Sequence, residues 1–575
     1  FLAVLRVPPM ENALVVGEGP AVEAIESGLG DTDIAVDRRA DENLDAADLD
    51  AATVGLVVGR VGADRFETFD ATARDVSTPW FAVELGGVGG YPVVDASVAG
   101  FDPVRECYHC LAGRVAANAD PEAEPLGPPG APTVRLAGAI AARTVAQWLD
   151  DGGQDRSRAN PLGRVIEIPS AERRFLPLPN CDCAESPDRA LDRAHVDRDL
   201  DEAIARAEQG LDDRVGIVAQ LGEAESYPAP YYLAQLCDTS GFSDASAPRQ
   251  AAGVAVGWNE AFMKALGESL ERYAAGVYRR DEFTRSTRLD LDVAVSPSSF
   301  VRPANTDVDA ETELDWLPAE NLASGAETYV PASLVVHPPA NRPIRPAITT
   351  GLGLGSSGVD ALLSGLYETI ERDATMLAWY STYEPLELDV ADDEYRALAA
   401  RARAEGLTVT PLLVTQDVDV PVVAVVVHDD AGEFPQAATG SAAHLDPNHA
   451  ARGALAEAVQ NWMELQTMGP DGAAEAGGAI GDYATDPSPL DPWLAADGPV
   501  PADSVGPDTV PSGEDELGAV VERLRDAGLT SYGVRTTPRD LAAIGFEAVR
   551  VLVPAAQPLF LGDPFFGERA TAGSA

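Results

Sequence analysis

Gly351-Leu-Gly-Leu-Gly-Ser-Ser-Gly358, running on through Val359 to Ala374, is the stretch around which the chain is organised. A glycine-rich, hydroxyl-bearing loop feeds a segment whose apolar residues Leu362, Leu363, Leu366 and Ile370 recur at helical spacing. That helix closes on Glu368-Thr-Ile-Glu371-Arg372-Asp373, and the same phrase stands a hundred residues earlier as Glu268-Ser-Leu-Glu271-Arg272. A third helical pattern carries Glu457-Ala-Val-Gln460, with Glu464 one turn further on. Carboxylates at i and i+3 share a helix face, so each helix is placed to aim a pair into a common cavity. Converging carboxylates suit hard divalent cations such as magnesium, which take oxygen ligands and bridge to phosphate. The plainer alternative is a pair of surface ion pairs, Glu268–Arg272 and Glu368–Arg372, each worth roughly a few tenths of a kcal/mol. Recurrence on three helices favours the shared site.

The 575 residues are too many for one ordinary core, so two or three domains are expected. Acidic residues number 93 against 41 basic, a formal charge of −52, and Lys264 is the only lysine. An even spread of Asp and Glu with lysine nearly eliminated points to a cytoplasm of molar salt, where a Debye length of about 3 Å screens the self-repulsion. A disordered acidic chain is excluded by the 45% hydrophobic content and by the helix and strand patterns. No apolar run is long enough for a membrane span and no signal peptide opens the sequence, so a cytoplasmic protein is expected. Phe1–Pro9 reads poorly as a start, and Met10 is expected as the initiator. The acidity argues against nucleic acid as a partner, because phosphate contacts need a basic stripe.

From Ala13 the chain alternates strand and helix: strands at Ala13–Val16, Asp33–Val36, Val54–Val58 and Trp80–Leu85, helices at Ala21–Leu29 and Arg65–Val76. That alternation predicts a small parallel α/β domain of Rossmann-like type. Gly17-x-Gly19 begins a dinucleotide fingerprint, but Val22 stands at its third glycine position and argues against pyrophosphate binding there. Cys107-Tyr-His-Cys110 follows, and Cys181-Asp-Cys183 comes after a helix (Val134–Leu149) and a strand (Arg164–Ile168). Two close pairs in a reducing compartment read as a metal site before they read as disulfides, and four thiolates give a closed structural zinc site. The alternative is four unrelated cysteines; the fifth, Cys237, reads as a small buried hydrophobe.

The boundary is expected in the charged segment after Glu185, giving a first domain over residues 1–185, a linker over 186–198 and a second domain over 199–575. The second domain reads as α+β, with long helices at Glu260–Val277, Asp360–Tyr380, Asp392–Glu405 and Asn448–Met468. Gly469–Gly513, rich in Gly, Ala, Asp and Pro, is expected as a long acidic surface loop.

With these phrases in view, the C-terminal two-thirds resembles the YcaO family of ATP-dependent enzymes. The resemblance rests on Ala265-Leu-Gly-Glu-Ser-Leu-Glu-Arg-Tyr273, on Gly351–Gly358 leading to Gly365-Leu-Tyr-Glu-Thr-Ile-Glu-Arg-Asp373, and on Ala454-Leu-Ala-Glu-Ala-Val-Gln460. Thr536-Thr-Pro-Arg-Asp540, Arg550-Val-Leu-Val-Pro554 and Gln557-Pro558 add weaker support. The N-terminal part looks like the ThiF-like docking domain fused to such enzymes, whose four-cysteine zinc would match Cys107, Cys110, Cys181 and Cys183.

The resemblance implies activation of a peptide-bond oxygen by ATP, with an azoline ring or a thioamide as product. It implies Glu268, Glu271, Glu368, Glu371 and Glu457 as the catalytic carboxylates, with magnesium on Glu268, Glu271 and Glu371. Lys264, Arg272, Arg372, Gln460, Ser356 and Ser357 are expected at the nucleotide. A peptide or protein substrate is implied, with a leader-binding or sulfur-donating partner and a homodimer as further expectations. Three departures stand out. Lys264 occupies the place of the family's serine, and Gly453, with Arg452 beside it, that of its arginine; Thr571-Ala-Gly-Ser-Ala575 replaces a proline-rich tail, which weighs on azoline formation more than on ATP binding. Competing functions are a non-catalytic docking scaffold and an accessory factor for sulfur transfer or methylthiolation.

Overall fold

Val54–Arg60 reads Val-Gly-Leu-Val-Val-Gly-Arg and is buried along its whole length except for the terminal arginine. A continuous apolar run of this kind needs cover on both faces, which parallel strands flanked by helices provide. The computed structural model describes residues 11–40, 46–120, 122, 125–153, 160–183, 188–306, 308–339, 341, 344–429, 431–476, 486–495, 498–560 and 562–572. Met10 lies outside them, as do residues 184–187 of the expected boundary. The chain divides into two compact units. The first holds Phe1–Ser186, Gln209–Ala219 and Ser240–Phe242, and the second holds Pro187–Glu208, Gln220–Thr239 and Ser243–Ala575.

The first unit is built on a seven-stranded sheet in the order Ala35–Arg39, Asn12–Val16, Val54–Arg60, Trp80–Leu85, Ala96–Phe101, Arg164–Ile168, Ala171–Arg174. Its first four strands are parallel and its last three antiparallel, so the expected parallel domain is instead mixed. Ala96–Phe101, Ala-Ser-Val-Ala-Gly-Phe, escapes a reading by pattern because it is wholly buried and shows no alternation. Helix Pro20–Leu29 buries Ala21, Val22, Ile25 and Leu29 at helical spacing. It lies close against helix Ala131–Asp150, because a Cβ on Gly28 would sit 2.7 Å from that of Ala142 and one on Gly138 would overlap the Ala21 carbonyl. Val22, in the third glycine's place, is fully buried.

After the expected linker the chain returns to this first unit. Arg173 pairs with Asp212 at 2.8 Å and with Asp213 at 2.6 Å, Arg214 pairs with Glu167 at 3.2 Å, and Val215 and Ile217 are buried. These side chains account for a segment that composition alone assigns to the second domain.

The second unit is a mixed α/β assembly of several sheets. Gln250–Val254 pairs antiparallel with Tyr231–Leu236. A six-stranded sheet runs Thr284–Ser286, Leu314–Asn321, Tyr532–Arg535, Glu547–Leu552, Leu352–Gly355, with Glu327–Pro331 also on Leu314–Asn321. A five-stranded sheet runs Ala437–Ala443, Val422–Asp429, Leu407–Leu413, Leu386–Asp389, Val500–Pro501. Gly469–Gly513 is not the continuous surface loop that its composition suggests. The helix from Pro447 kinks at Gly469 (φ 71°) and continues to Ala476, while Leu490 and Trp493 are buried and Trp493 meets Trp379 edge-on at 5.1 Å. Two well-placed apolar side chains outweigh the average polarity of the segment. No helix among the described residues is long and apolar enough to cross a membrane.

Candidate active site

Three strand–helix units carry the motif carboxylates: Gln250–Val254 with Trp258–Gly276, Leu352–Gly355 with Gly358–Trp379, and Ala437–Ala443 with Pro447–Ala476. In each, a strand glycine lies on a pair of small helix residues one turn apart. A Cβ on Gly253 would overlap the backbone at Ala261 and Ala265, one on Gly353 at Ala361 and Gly365, and one on Gly440 at Ala454 and Ala458. The close approach lets a backbone N–H near each strand reach a helix carboxylate. Ala252 donates to Glu268, Gly351 donates to Oε2 of Glu368 at 2.9 Å, and Ser441 donates to Oε2 of Glu457 at 2.7 Å. Each of these glutamates is therefore held by its own strand.

The second motif joins the third. Arg372 lies 3.2 Å from Glu371 and 3.3 Å from Glu457, and the Ser441 hydroxyl donates to Oε1 of Glu371 at 2.7 Å. The first motif is closed differently. Arg272 forms the i,i+4 pair with Glu268 and donates to the Gln250 carbonyl, whereas the matching pair Glu368–Arg372 does not form. Burial and the charges of Glu368 and Glu268 push half-buried Glu271 up to about 8. Burial likewise raises Glu371, against the pull of Arg372, and raises Glu268, against that of Arg272. Buried Arg550 donates to the carbonyls of Thr349 (2.7 Å) and Ile348 (2.9 Å), and burial lowers it to about 10 although Glu368 and Glu271 support its charge.

Carboxyl groups raised in this way are short of positive charge, which is the chemistry of a cation site. Among the described residues no three of these glutamates lie close enough to share one ion unaided. A magnesium ion held here would take one or two carboxylates and complete its shell with phosphate and water oxygens, its usual habit.

The remaining expected residues are placed as follows. Gln460 donates to Oε1 of Glu464 at 3.0 Å, and Tyr231 donates to the same oxygen at 3.1 Å. Lys264 is exposed one turn before Glu268 and forms no ion pair, although its charge helps to offset the upward shift of that glutamate. Ser357 caps the second helix by accepting from Asp360 N at 3.2 Å, and the Ser356 carbonyl accepts from Arg198 at 2.6 Å. At about 1.5 Å per residue they lie roughly 16 Å along the helix from Glu368, so the structure does not bring them to the carboxylates. The glycine-rich stretch, expected as a loop, is in half its length the strand Leu352–Gly355, and Gly353 serves helix approach. Ser441, Tyr231 and Arg550 join the site without having been singled out for it. The Gly440-Ser441 step just before a motif helix is the one local signal, since Gly253 and Gly353 occupy comparable places.

In the first unit Cys107, Cys110, Cys181 and Cys183 are buried with all four sulfurs within 4.8 Å of one another. Their Sγ atoms lie 3.8 Å (Cys107–Cys110), 3.5 Å (Cys107–Cys181) and 3.6 Å (Cys110–Cys183) apart, and none is in a disulfide. Zinc–sulfur bonds of about 2.3 Å in a tetrahedron give edges of about 3.8 Å, so the donor set fits zinc. Leu178 N donates to Cys110 Sγ at 3.3 Å.

The family profile described as YcaO cyclodehydratase, ATP- and Mg2+-binding, matches residues 252–557. An uncharacterised protein of Methanothermobacter thermautotrophicus is 35% identical over 211 residues, 35% of this chain and 54% of that protein. The match thus spans about half the length of that relative. Among solved structures, a heterocyclase in complex with substrate and cofactor superposes with a TM-score of 0.71 at 19% identity, covering 95% of this chain and 81% of that one. The heterocyclase TruD gives 0.64 at 18%, covering 96% and 79%. At these identities the likeness is one of fold.

Proposed function

The chain belongs to the YcaO family, and from that premise we propose that it is an ATP-dependent enzyme that activates a backbone amide in a ribosomally made peptide or protein. A Cys, Ser or Thr side chain of the substrate adds to the carbonyl carbon and gives up its proton. The carbonyl oxygen takes the terminal phosphoryl group of ATP and leaves as phosphate, and loss of the amide proton closes the C=N bond of an azoline. With an external sulfur donor the same activation yields a thioamide. The observation that carries this reading is the convergence on Glu371, where Ser441 and Arg372 tie the second motif helix to Glu457 on the third.

Phosphoryl transfer asks a protein for positioning and charge neutralisation more than for covalent help. Glu268, Glu271 and Glu371 would hold magnesium, and Glu368 and Glu457 complete the carboxylate set. Magnesium, when bound, supplies positive charge to the phosphate oxygens. Arg372 fixes Glu371 and Glu457 in place, and Glu464 turns the Gln460 amide so that its N–H2 is engaged and its oxygen is left to accept. Bound cations would also release the protons that Glu271 and Glu371 keep near neutral pH.

The first unit is read as a ThiF-like docking domain, stapled by a structural zinc on the four cysteines, that receives a leader segment or a partner protein. Its sheet, its thiol quartet and the whole-chain likeness to heterocyclase folds support that reading. The test of the catalytic reading is calorimetry with Mg·ATP in molar potassium chloride, followed by phosphate release in the presence of Cys-, Ser- or Thr-rich peptides. Tight Mg·ATP binding that Glu371→Gln abolishes is expected; a parent protein that binds no nucleotide would overturn the reading.

A further inference from the structure

The two motif arginines are not available to phosphate as the structure stands. Arg272 is engaged by Glu268 and the Gln250 carbonyl, and Arg372 by Glu371 and Glu457. Arg550 gives both terminal nitrogens to backbone carbonyls, with its buried Nε left unpaired among the described residues. Arg345 differs from all three. It is half-buried, yet among the described residues it makes no hydrogen bond and no ion pair, in a chain with more than twice as many acidic as basic residues. Among the described residues the other arginines in that position, Arg60, Arg143, Arg249, Arg396 and Arg403, are all exposed. Solvent serves those five fully, whereas the half-buried guanidinium of Arg345 is only partly solvated and its donors are open to an anion.

Arg345 lines a small cavity with Thr350, Thr369 and Gln557, and this cavity backs onto the site. Thr369 follows Glu368 in the second motif, and Gly351, next to Thr350, donates to the Glu368 carboxylate. Burial and the neighbouring charge of Arg550 lower Arg345 to about 9, so at neutral pH it is still a cation. The cavity holds about 20 Å3. That is room for about one water, or for one oxygen of a tetrahedral anion whose remainder sits at the mouth.

We propose that Arg345, with the hydroxyl of Thr350, is a subsite for a phosphoryl oxygen; the Thr369 hydroxyl is already donated to the Gly365 carbonyl at 2.8 Å. The half-buried guanidinium offers charge-assisted donors that the motif arginines have already committed, and phosphate is the anion for which such a fork is suited. The inference rests on the nucleotide reading above only for the source of the phosphate, which is the terminal group of bound ATP or the phosphate that is released.

The experiment titrates the full chain, its Arg345→Met form and its Arg345→Lys form with Mg·ATP, Mg·ADP and inorganic phosphate in potassium chloride. Arg345→Met should weaken at least one ligand tenfold or more. A loss for Mg·ATP with Mg·ADP changed less than twofold assigns the terminal phosphate, and a loss for inorganic phosphate alone assigns the released one. Because no partner is orphaned, the melting temperature of Arg345→Met should match or exceed that of the parent, and Arg345→Lys should recover part of the affinity. If the parent binds ATP and Arg345→Met binds all three ligands equally well, the subsite is wrong and the nucleotide reading stands. Arg345-dependent phosphate binding without any nucleotide binding would keep the subsite and remove the nucleotide reading. A fallen melting temperature with no recovery by lysine would make Arg345 a structural residue and overturn the subsite.

Discussion

Ser441 Oγ donates a 2.7 Å hydrogen bond to Glu371 Oε1, while the N–H of the same residue holds Glu457. One residue at a strand thus sets two carboxylates from two helices. Removing the hydroxyl leaves a buried carboxylate, already raised by burial, with Arg372 at 3.2 Å as its remaining support for the ionised form. A hydrogen bond to a charged group is worth about 1.5–3 kcal/mol. Ser441→Ala should therefore weaken Mg·ATP roughly tenfold to a hundredfold by the same principle, and the pH at which binding is half-lost should move upward. Calorimetry across pH 6 to 9 checks this; unchanged affinity at every pH would show that Ser441 does not set Glu371.

Glu271 makes the pH dependence of stability run opposite to that of an ordinary paired carboxylate. Its folded pKa, about 8, stands above the unfolded value of about 4.3, so the native state keeps a proton that the unfolded chain has lost. The contribution is fully present below about pH 4.3 and declines as pH rises to about 8, with a slope of up to about 1.4 kcal/mol per pH unit for the single group. Magnesium-free protein should lose more stability between pH 6 and pH 8.5 than Glu271→Gln does, and magnesium should restore the parent mainly at the higher pH. Melting temperatures of both proteins at both values, with and without the ion, give the comparison. Equal slopes would mean that Glu271 ionises normally.

How much of this was legible beforehand depends on sequence distance. Arg65–Val76, Trp80–Leu85 and Arg164–Ile168 fall where periodicity puts them, because local pattern decides such elements. The repeated Glu-x-x-Glu-Arg phrase likewise identifies two helices that carry carboxylates. The choice of ion-pair partner is non-local, however. Arg272 and Arg372 occupy identical places in identical phrases, yet one stays on its own helix and the other crosses to Glu457. The glycines of Gly351–Gly358 illustrate a second limit, since spacing cannot separate close approach to a ligand from close approach to a helix, and Gly353 does the latter. Lys264, conspicuous as the only lysine, is exposed and without an ion pair.

A structural zinc on the four cysteines would bear on stability rather than on the carboxylate site. A closed tetrathiolate zinc site contributes its binding free energy to folding. One zinc per chain is expected by elemental analysis of protein purified without chelators. A strong chelator, or Cys110→Ser, should lower the melting temperature and leave Mg·ATP affinity within about twofold, a change of roughly 0.4 kcal/mol. Absence of zinc, or nucleotide binding lost in step with it, would contradict this assignment.

Two glycines beside the motif helices should respond in opposite directions. Gly440 lies where a Cβ would overlap the backbone at Ala454 and Ala458 and sit 2.7 Å from the Glu457 Cβ. Backbone on that side cannot step away without shifting the third helix, so Gly440→Ala should cost about 1–3 kcal/mol as overpacking. The same shift pulls Glu457 from Arg372 and Ser441, so nucleotide affinity should fall with stability. Gly267 stands directly before Glu268 in a helix interior, and a Cβ there would find only Leu354 Cδ2 at 3.8 Å and Met263 Cε at 4.0 Å, ordinary contacts. Gly267→Ala should therefore gain about 0.5–1 kcal/mol from reduced unfolded-state freedom. Denaturant unfolding of both variants, read beside their Mg·ATP affinities, tests the pair. If Gly440→Ala is as stable as the parent, the third helix is not seated on its strand as described. If Gly267→Ala is destabilised, the space beside the first motif is smaller than the structure shows.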